Sequence, residues 1–133
     1  MSELNAMQAV RKQKILVVDD HEELRRLIAL TLRRHYVVSE ACDAAQALAA
    51  LAQDKPDGLI LDVMMPGEIN GFQLCERIKR TPGLEHIHVI MVTARGQEHD
   101  VAVGKAMGAD AYFVKPFSPL ALLRHLENAF GAE

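Results

Sequence analysis

Tryptophan is absent from this 133-residue chain, and two Tyr and four Phe are the aromatics it has. A planar redox ring such as a flavin would find little here to stack on. Cysteine is as scarce: Cys42 and Cys75 make neither a disulfide framework nor a zinc pattern. No apolar stretch approaches the ~20 residues that a bilayer span needs. Met1 to Lys14 carry no continuous apolar segment, so no secretory signal is expected there. The formal net charge is −3, without any long basic run. Direct nucleic-acid binding and a membrane partner are therefore not expected, and the expected location is cytoplasmic. With half its residues hydrophobic and a quarter charged, the composition is that of one soluble globular domain with a core of its own.

What the chain does have is four short apolar runs, each ending on a residue that can hold a cation or a phosphoryl group. Ile15-Leu16-Val17-Val18 runs into Asp19 and Asp20, and Leu59-Ile60-Leu61 into Asp62. Val89-Ile90-Met91-Val92 ends at Thr93, and Tyr112-Phe113-Val114 at Lys115. Short runs rich in Val, Ile and Leu, separated by helix-like stretches, read as buried strands of a parallel sheet. In an open α/β sheet the ligand site lies beyond the carboxyl ends of the strands. These side chains are thus expected to converge on one edge.

Along the chain, Met1 to Gln13 has weak periodicity and reads as a flexible leader, with one domain over 14–131. Lys14–Val18 is the first strand. A helix is predicted from His21 to His35, with Leu24, Leu27, Ile28 and Thr31 at helical spacing and Glu22, Glu23, Arg33 and Arg34 suiting its dipole. Tyr36-Val37-Val38 reads as a short second strand. Asp43 can cap an Ala-rich helix over Ala44–Gln53. A third strand spans Leu59–Asp62, followed by a Pro- and Gly-containing loop and a helix from about Phe72 to Arg80. The fourth strand is His88–Thr93. The fourth helix, about Glu98 to Met107, ends at Gly108, a position suited to a left-handed cap. The fifth strand is Ala111–Lys115. Ser118-Pro119 opens a last helix with Leu120, Leu123, Leu126 or Glu127, and Phe130 down one side. Five strands alternating with five helices is the pattern of a doubly wound α/β domain.

The strand-end residues specify a chemistry. Taken singly, Asp19 or Asp20 would simply cap the helix that follows. As a pair beside Asp62 they form a set of carboxylates that repel unless something positive sits among them. An oxygen-only set favours a hard cation, and one that also holds a phosphoryl oxygen and water suits Mg²⁺. Asp62 is the candidate nucleophile, since a carboxylate can attack phosphorus to give an aspartyl phosphate. Lys115 would neutralise charge on the phosphoryl group, and Thr93 could donate a hydroxyl hydrogen bond to it.

These residues, with Val17-Val18-Asp19-Asp20-His21, Asp62-Val63-Met64-Met65-Pro66-Gly67, Val92-Thr93-Ala94 and Gly108 through Phe117, resemble a response-regulator receiver domain of two-component signalling. The resemblance runs from about Lys14 to Phe130. It implies a flavodoxin-like sheet of order 2-1-3-4-5 in a three-layer α/β/α arrangement. It implies that Asp62 accepts a phosphoryl group from a histidine kinase or histidine phosphotransfer protein, a reaction the domain catalyses on itself along with its reversal. Asp20, Asp62 and the backbone carbonyl of Met64 would ligate Mg²⁺, with Asp19 acting through a metal-bound water. Thr93 and Tyr112 would form the switch, and a cis peptide at Lys115-Pro116 would aim the amine into the site. Met64 and Arg95 stand where the family tunes the phosphate's lifetime. The readout would be a changed surface on the fourth helix, fifth strand and fifth helix, presented to an output partner or to an output domain not in this chain. The state would be monomeric or a phosphorylation-dependent dimer. Pro66 to Gly71 spans one residue more than the family's commonest loop, and Ala44 replaces a frequent Gly.

Other classes share parts of this pattern. A phosphatase or phosphotransferase of the haloacid dehalogenase type also uses an Asp nucleophile, but carries a second Asp two residues on, where this chain has Met64. A non-phosphorylated interaction module of the same fold would have no use for all five polar strand ends. His86 and His88, two apart, could share a strand face, yet lack a third ligand for a transition metal. Met64, Met65 and Met91 read as core and loop, and Gly104 and Gly108 form no phosphate loop.

Overall fold

The computed structural model describes residues 12–65, 67–94 and 99–131. The strands are β1 (Lys14–Val18), β2 (Val37–Ala41), β3 (Gly58–Asp62), β4 (His88–Thr93) and β5 (Ala111–Val114). The helices are α1 (Glu22–Arg33), α2 (Ala44–Gln53), α3 (Gly71–Arg80), α4 (His99–Met107) and α5 (Pro119–Phe130). All strand pairs are parallel, in the order β2-β1-β3-β4-β5. The expected 2-1-3-4-5 sheet is the one observed.

Alternation along each strand sends successive side chains to opposite faces. Leu16, Val18, Leu59, Leu61, Val89 and Met91 meet Ala44, Ala47 and Leu51 of α2 and Leu74, Cys75 and Ile78 of α3. Ile15, Val17, Ile60, Ile90 and Val92 meet Ile28 and Leu32 of α1 and Leu122, Leu123 and Leu126 of α5. Two cores thus sandwich one sheet. This is why β1, β3 and β4 are apolar between their ends and carry no polar alternation.

Helix boundaries follow local chemistry. Asp43 Oδ1 accepts from Gln46 N–H at 2.8 Å, the cap expected from the sequence. Asn70 and Gln73 form a capping box, each side chain bonded to the other's backbone N–H at 2.9 and 2.8 Å. Ser118 Oγ accepts from Leu120 N–H at 3.1 Å, with Pro119 in the first turn. Gly108 closes α4 at φ +99°, as the sequence suggested.

Some expectations fail in detail. The second strand is Val37–Ala41, not Tyr36–Val38, because Lys14 pairs with Val37 and the ladder continues to Val18 opposite Ala41. As an edge strand β2 needs no apolar run, and Ser39 and Glu40 hid it. On α1 the buried stripe is Ile28, Ala29 and Leu32, while Leu27 is exposed. On α5 Leu122 takes the core position and Leu120 is exposed. His86 is exposed in the turn before β4 and shares no face with His88. His88 instead meets His125 of α5, Nε2 to Nε2 at 2.9 Å.

Candidate functional site

Burying a polar or charged side chain is costly unless it is paired or has work to do. Among the described residues, three polar or charged residues are buried: Asp19, Asp62 and Thr93. All three stand where β1, β3 and β4 end, on one edge of the sheet. The sheet itself places them. Asp62 lies opposite Val92, and Thr93 opposite Val114, so Lys115 follows directly. The ladder extends past the strands, with Asp19 N–H bonded to Ala41 O at 3.1 Å, Val63 N–H to Val92 O at 2.9 Å and Lys115 N–H to Thr93 O at 2.7 Å.

Asp19, Asp20 and Asp62 each offer a carboxylate oxygen, and these oxygens lie within 4.8 Å of one another. Asp20 is exposed and the other two are buried. Lys115 Nζ sits 3.6 Å from Asp19 Oδ2 and 3.7 Å from Asp62 Oδ1. Asp19 Oδ1 accepts from His21 N–H at 2.8 Å in the turn ahead of α1, and its Oδ2 faces the lysine. It does not cap the helix: His21 is the N-cap residue, and α1 has no side-chain cap. The peptide bond at Lys115-Pro116 is cis, as the resemblance implied.

The carboxyl of Asp62 has its pKa raised to about 7, first by burial and next by the charge of Asp19, with Asp20 adding to it. Lys115 and the backbone N–H of Met64, which donates to Asp62 Oδ1 at 3.3 Å, pull it back only in part. The site is thus short of positive charge. Oxygen donors of this number and spacing fit a hard divalent cation, which would supply that charge. Met64 itself has an exposed side chain beside the site. Tyr112 is half-buried against the α2–α3 core. Arg95 and Pro66 lie outside the described residues, so the lifetime role of the one and the loop length at the other stay as expectations.

Three supporting features were missed in the sequence. Arg25 Nη1 donates to Asp19 O at 2.8 Å while its Nε bonds Glu40 at 3.0 Å, latching the β1 turn to β2. An arginine on an exposed-looking helix carries no signal of this. Gly71 is pressed onto the chain after Asp62, where a Cβ would run into Asp62 O and lie 2.8 Å from Val63 Cα. Gly71 N–H bonds Val63 O at 3.0 Å, so α3 starts against the backbone that follows Asp62. The Asn70/Gln73 box that sets this start was legible from its spacing. The third feature is Gly104 inside α4, where a Cβ would run into the hydroxyl end of Tyr112.

An open parallel sheet whose carboxyl edge carries a buried acidic pocket, a lysine and a buried threonine is the architecture of a phosphoryl-accepting signalling module. The family model for the response regulator receiver domain matches residues 15–127. The chain belongs to that family. It is 41% identical over 114 residues to the phosphate regulon transcriptional regulatory protein PhoB of Pseudomonas aeruginosa, covering 85% of this chain and 49% of that protein. It is 40% identical over 116 residues to the response regulator PleD of Caulobacter vibrioides, covering 86% of this chain and 25% of that one. Among solved structures, the chemotaxis response regulator CheY4 of Vibrio cholerae superposes with a TM-score of 0.83 at 31% identity, over 90% of this chain and 100% of that one. The chain spans about half the length of PhoB and a quarter of PleD. Receiver domains of this family take Mg²⁺ at an acidic pocket and work with histidine kinases and output domains. No helix among the described residues is long and apolar enough to cross a membrane.

Proposed function

We propose that residues 14–131 are a phosphorylation switch in which Asp62 is the phosphoacceptor. The observation that carries this is the burial of Asp19, Asp62 and Thr93 together at one sheet edge. The Asp62 carboxylate attacks the phosphorus of a phosphohistidine on a kinase or phosphotransfer protein. An O–P bond forms, and the N–P bond breaks with its electrons leaving on the imidazole. Asp19, Asp20, Asp62 and the Met64 carbonyl are the residues that would hold Mg²⁺, whose bound charge offsets that of the carboxylates and phosphoryl oxygens. Lys115, now shared between Asp19 and Asp62, is within reach of the transferred group and would pair with its oxygens. Thr93 would donate its hydroxyl to a phosphoryl oxygen. Tyr112 responds to that movement, and the surface of α4, β5 and α5 carries the change to an output partner or domain. Met64 and Arg95 set how quickly water removes the phosphoryl group.

Incubation with Mg²⁺ and a small acyl phosphate, followed by intact-mass measurement, tests this. One phosphoryl group is expected on the wild type and none on Asp62→Asn. Labelling of Asp62→Asn to the wild-type extent would move the acceptor elsewhere, and an unlabelled wild type would end the switch reading.

A further inference from the structure

The guanidinium of Arg25 is engaged at two points, and both bear on the acidic edge. Its Nη1 donates to Asp19 O at 2.8 Å, and its Nε bonds Glu40 Oε1 at 3.0 Å. The side chain is 13% exposed, against 46% for Arg33 on the same helix. Arg33 Nη2 holds the other oxygen of Glu40 at 3.0 Å. Glu40 is itself fixed on β2, where it pairs with Val17, two residues before Asp19. A chain of contacts thus runs from Arg33 through Glu40 and Arg25 to the backbone of the acidic turn.

The atom that Arg25 reaches matters, because Asp19 O belongs to the peptide joining Asp19 to Asp20. On the other side of Asp19, its N–H bonds Ala41 O at 3.1 Å. Both peptides flanking this residue are therefore tied to β2, one directly and one through Arg25. The Asp19 side chain has its own hold, with Oδ1 on His21 N–H at 2.8 Å. Asp20 differs. It is exposed, so burial does not place its carboxylate, and the peptide that carries it does. A planar guanidinium with its donors in a rigid fork fixes such a peptide between two anchors, which a flexible ammonium does not. A bare guanidinium this close to the turn would also repel a bound cation, and Glu40 offsets that charge.

We propose that Arg25 is a positioning residue for the acidic pocket: anchored on Glu40, it fixes the Asp19–Asp20 peptide and so holds the Asp20 carboxylate beside those of Asp19 and Asp62. The consequence for cation binding rests on the receiver reading, but the brace itself does not. Charge and position act with opposite signs here. As a positive charge alone, Arg25 would weaken the binding of a divalent cation, and its removal would strengthen it. As a brace, its loss lets Asp20 leave the oxygen set, and affinity falls. Arg33 carries the same charge and grips the same carboxylate from the far end of α1, so Arg33→Ala is the matched control.

The test is calorimetric Mg²⁺ titration of wild type, Arg25→Ala, Arg25→Lys and Arg33→Ala, each well below its thermal midpoint. The Asp20 amide and carboxyl NMR signals are followed in the metal-free proteins. In Arg25→Ala the dissociation constant is expected to rise about tenfold, and the metal-free Asp20 signals to move. Arg25→Lys keeps the charge without the fork and is expected to stay several-fold weaker than wild type. Arg33→Ala is expected to bind Mg²⁺ within about twofold of wild type, with its Asp20 signals in place. Wild-type or tighter affinity in Arg25→Ala, full recovery in Arg25→Lys, an equal loss in Arg33→Ala, or unmoved Asp20 signals in Arg25→Ala overturns the brace. If those signals move as expected but the wild type takes up no Mg²⁺, the brace stands and the receiver reading fails.

Discussion

At the scale of single residues, the site is a problem of charge balance. Asp62 ionises near pH 7 in the folded chain and near 3.8 ordinarily. Between those values the folded chain keeps a proton that the unfolded chain has released, so stability falls as pH rises through this window, and the full cost is present above it. Asp62→Asn cannot ionise. In chelator at about pH 8 it is expected to exceed the wild type by about 1–2 kcal/mol, a figure reduced for the solvent at the pocket's mouth. The gain should vanish below about pH 4, which urea midpoints at the two pH values would check. Lys115 opposes the rise in Asp62, so Lys115→Met should push that pKa higher still, visible by carboxyl NMR. The same variant should slow phosphoryl transfer by about 100-fold, the usual cost of losing one charge-stabilising donor.

At the scale of elements, two contacts decide how helices meet the sheet. Gly71 admits α3 onto the backbone after Asp62. Gly71→Ala should cost about 2–3 kcal/mol, since backbone lies in the way. By contrast Asn70→Ala loses only its half of the capping box, about 1 kcal/mol. Denaturant titration of both separates the clash from the cap. At the other end of the sheet, His88 joins β4 to α5 through His125. A nitrogen-to-nitrogen bond of this kind needs at least one neutral ring. The His88 pKa is lowered from 6.5, chiefly by burial, with His125 and Lys79 also lowering it and Asp110 opposing. As pH falls below about 6.5 the unfolded chain takes up the proton first, so stability declines until the folded value is passed. His88→Phe should flatten that acid limb of the stability profile. Sequence spacing alone paired His88 with His86, because the helix that supplies His125 is brought over β4 only by the wound topology.

At the scale of the molecule, a cation held at the acidic edge would tie folding to ion binding. A cation that binds the folded pocket and not the unfolded chain stabilises by mass action, about 2.7 kcal/mol at one hundred times its dissociation constant. Mg²⁺ is expected to raise the thermal midpoint of wild type, and Asp19→Asn with Asp20→Asn to abolish the rise. The two-sided core and the strand ends that carry Asp19, Asp20, Asp62, Thr93 and Lys115 were determined by sequence alone, while the sheet order followed from the family resemblance. Runs of β-branched and aliphatic residues can be satisfied only by burial on both faces, and crossover helices leave one order of residues at the carboxyl edge. Which leucines of α1 and α5 face inward, where the polar edge strand β2 runs, and how Arg25 latches the site were decided by tertiary structure. Those depend on the angle at which each helix settles and on partners distant in the chain. Gly104 shows the division most clearly: the helix pattern around it reads without it, and only the ring of Tyr112 lying in its notch explains why no side chain is there.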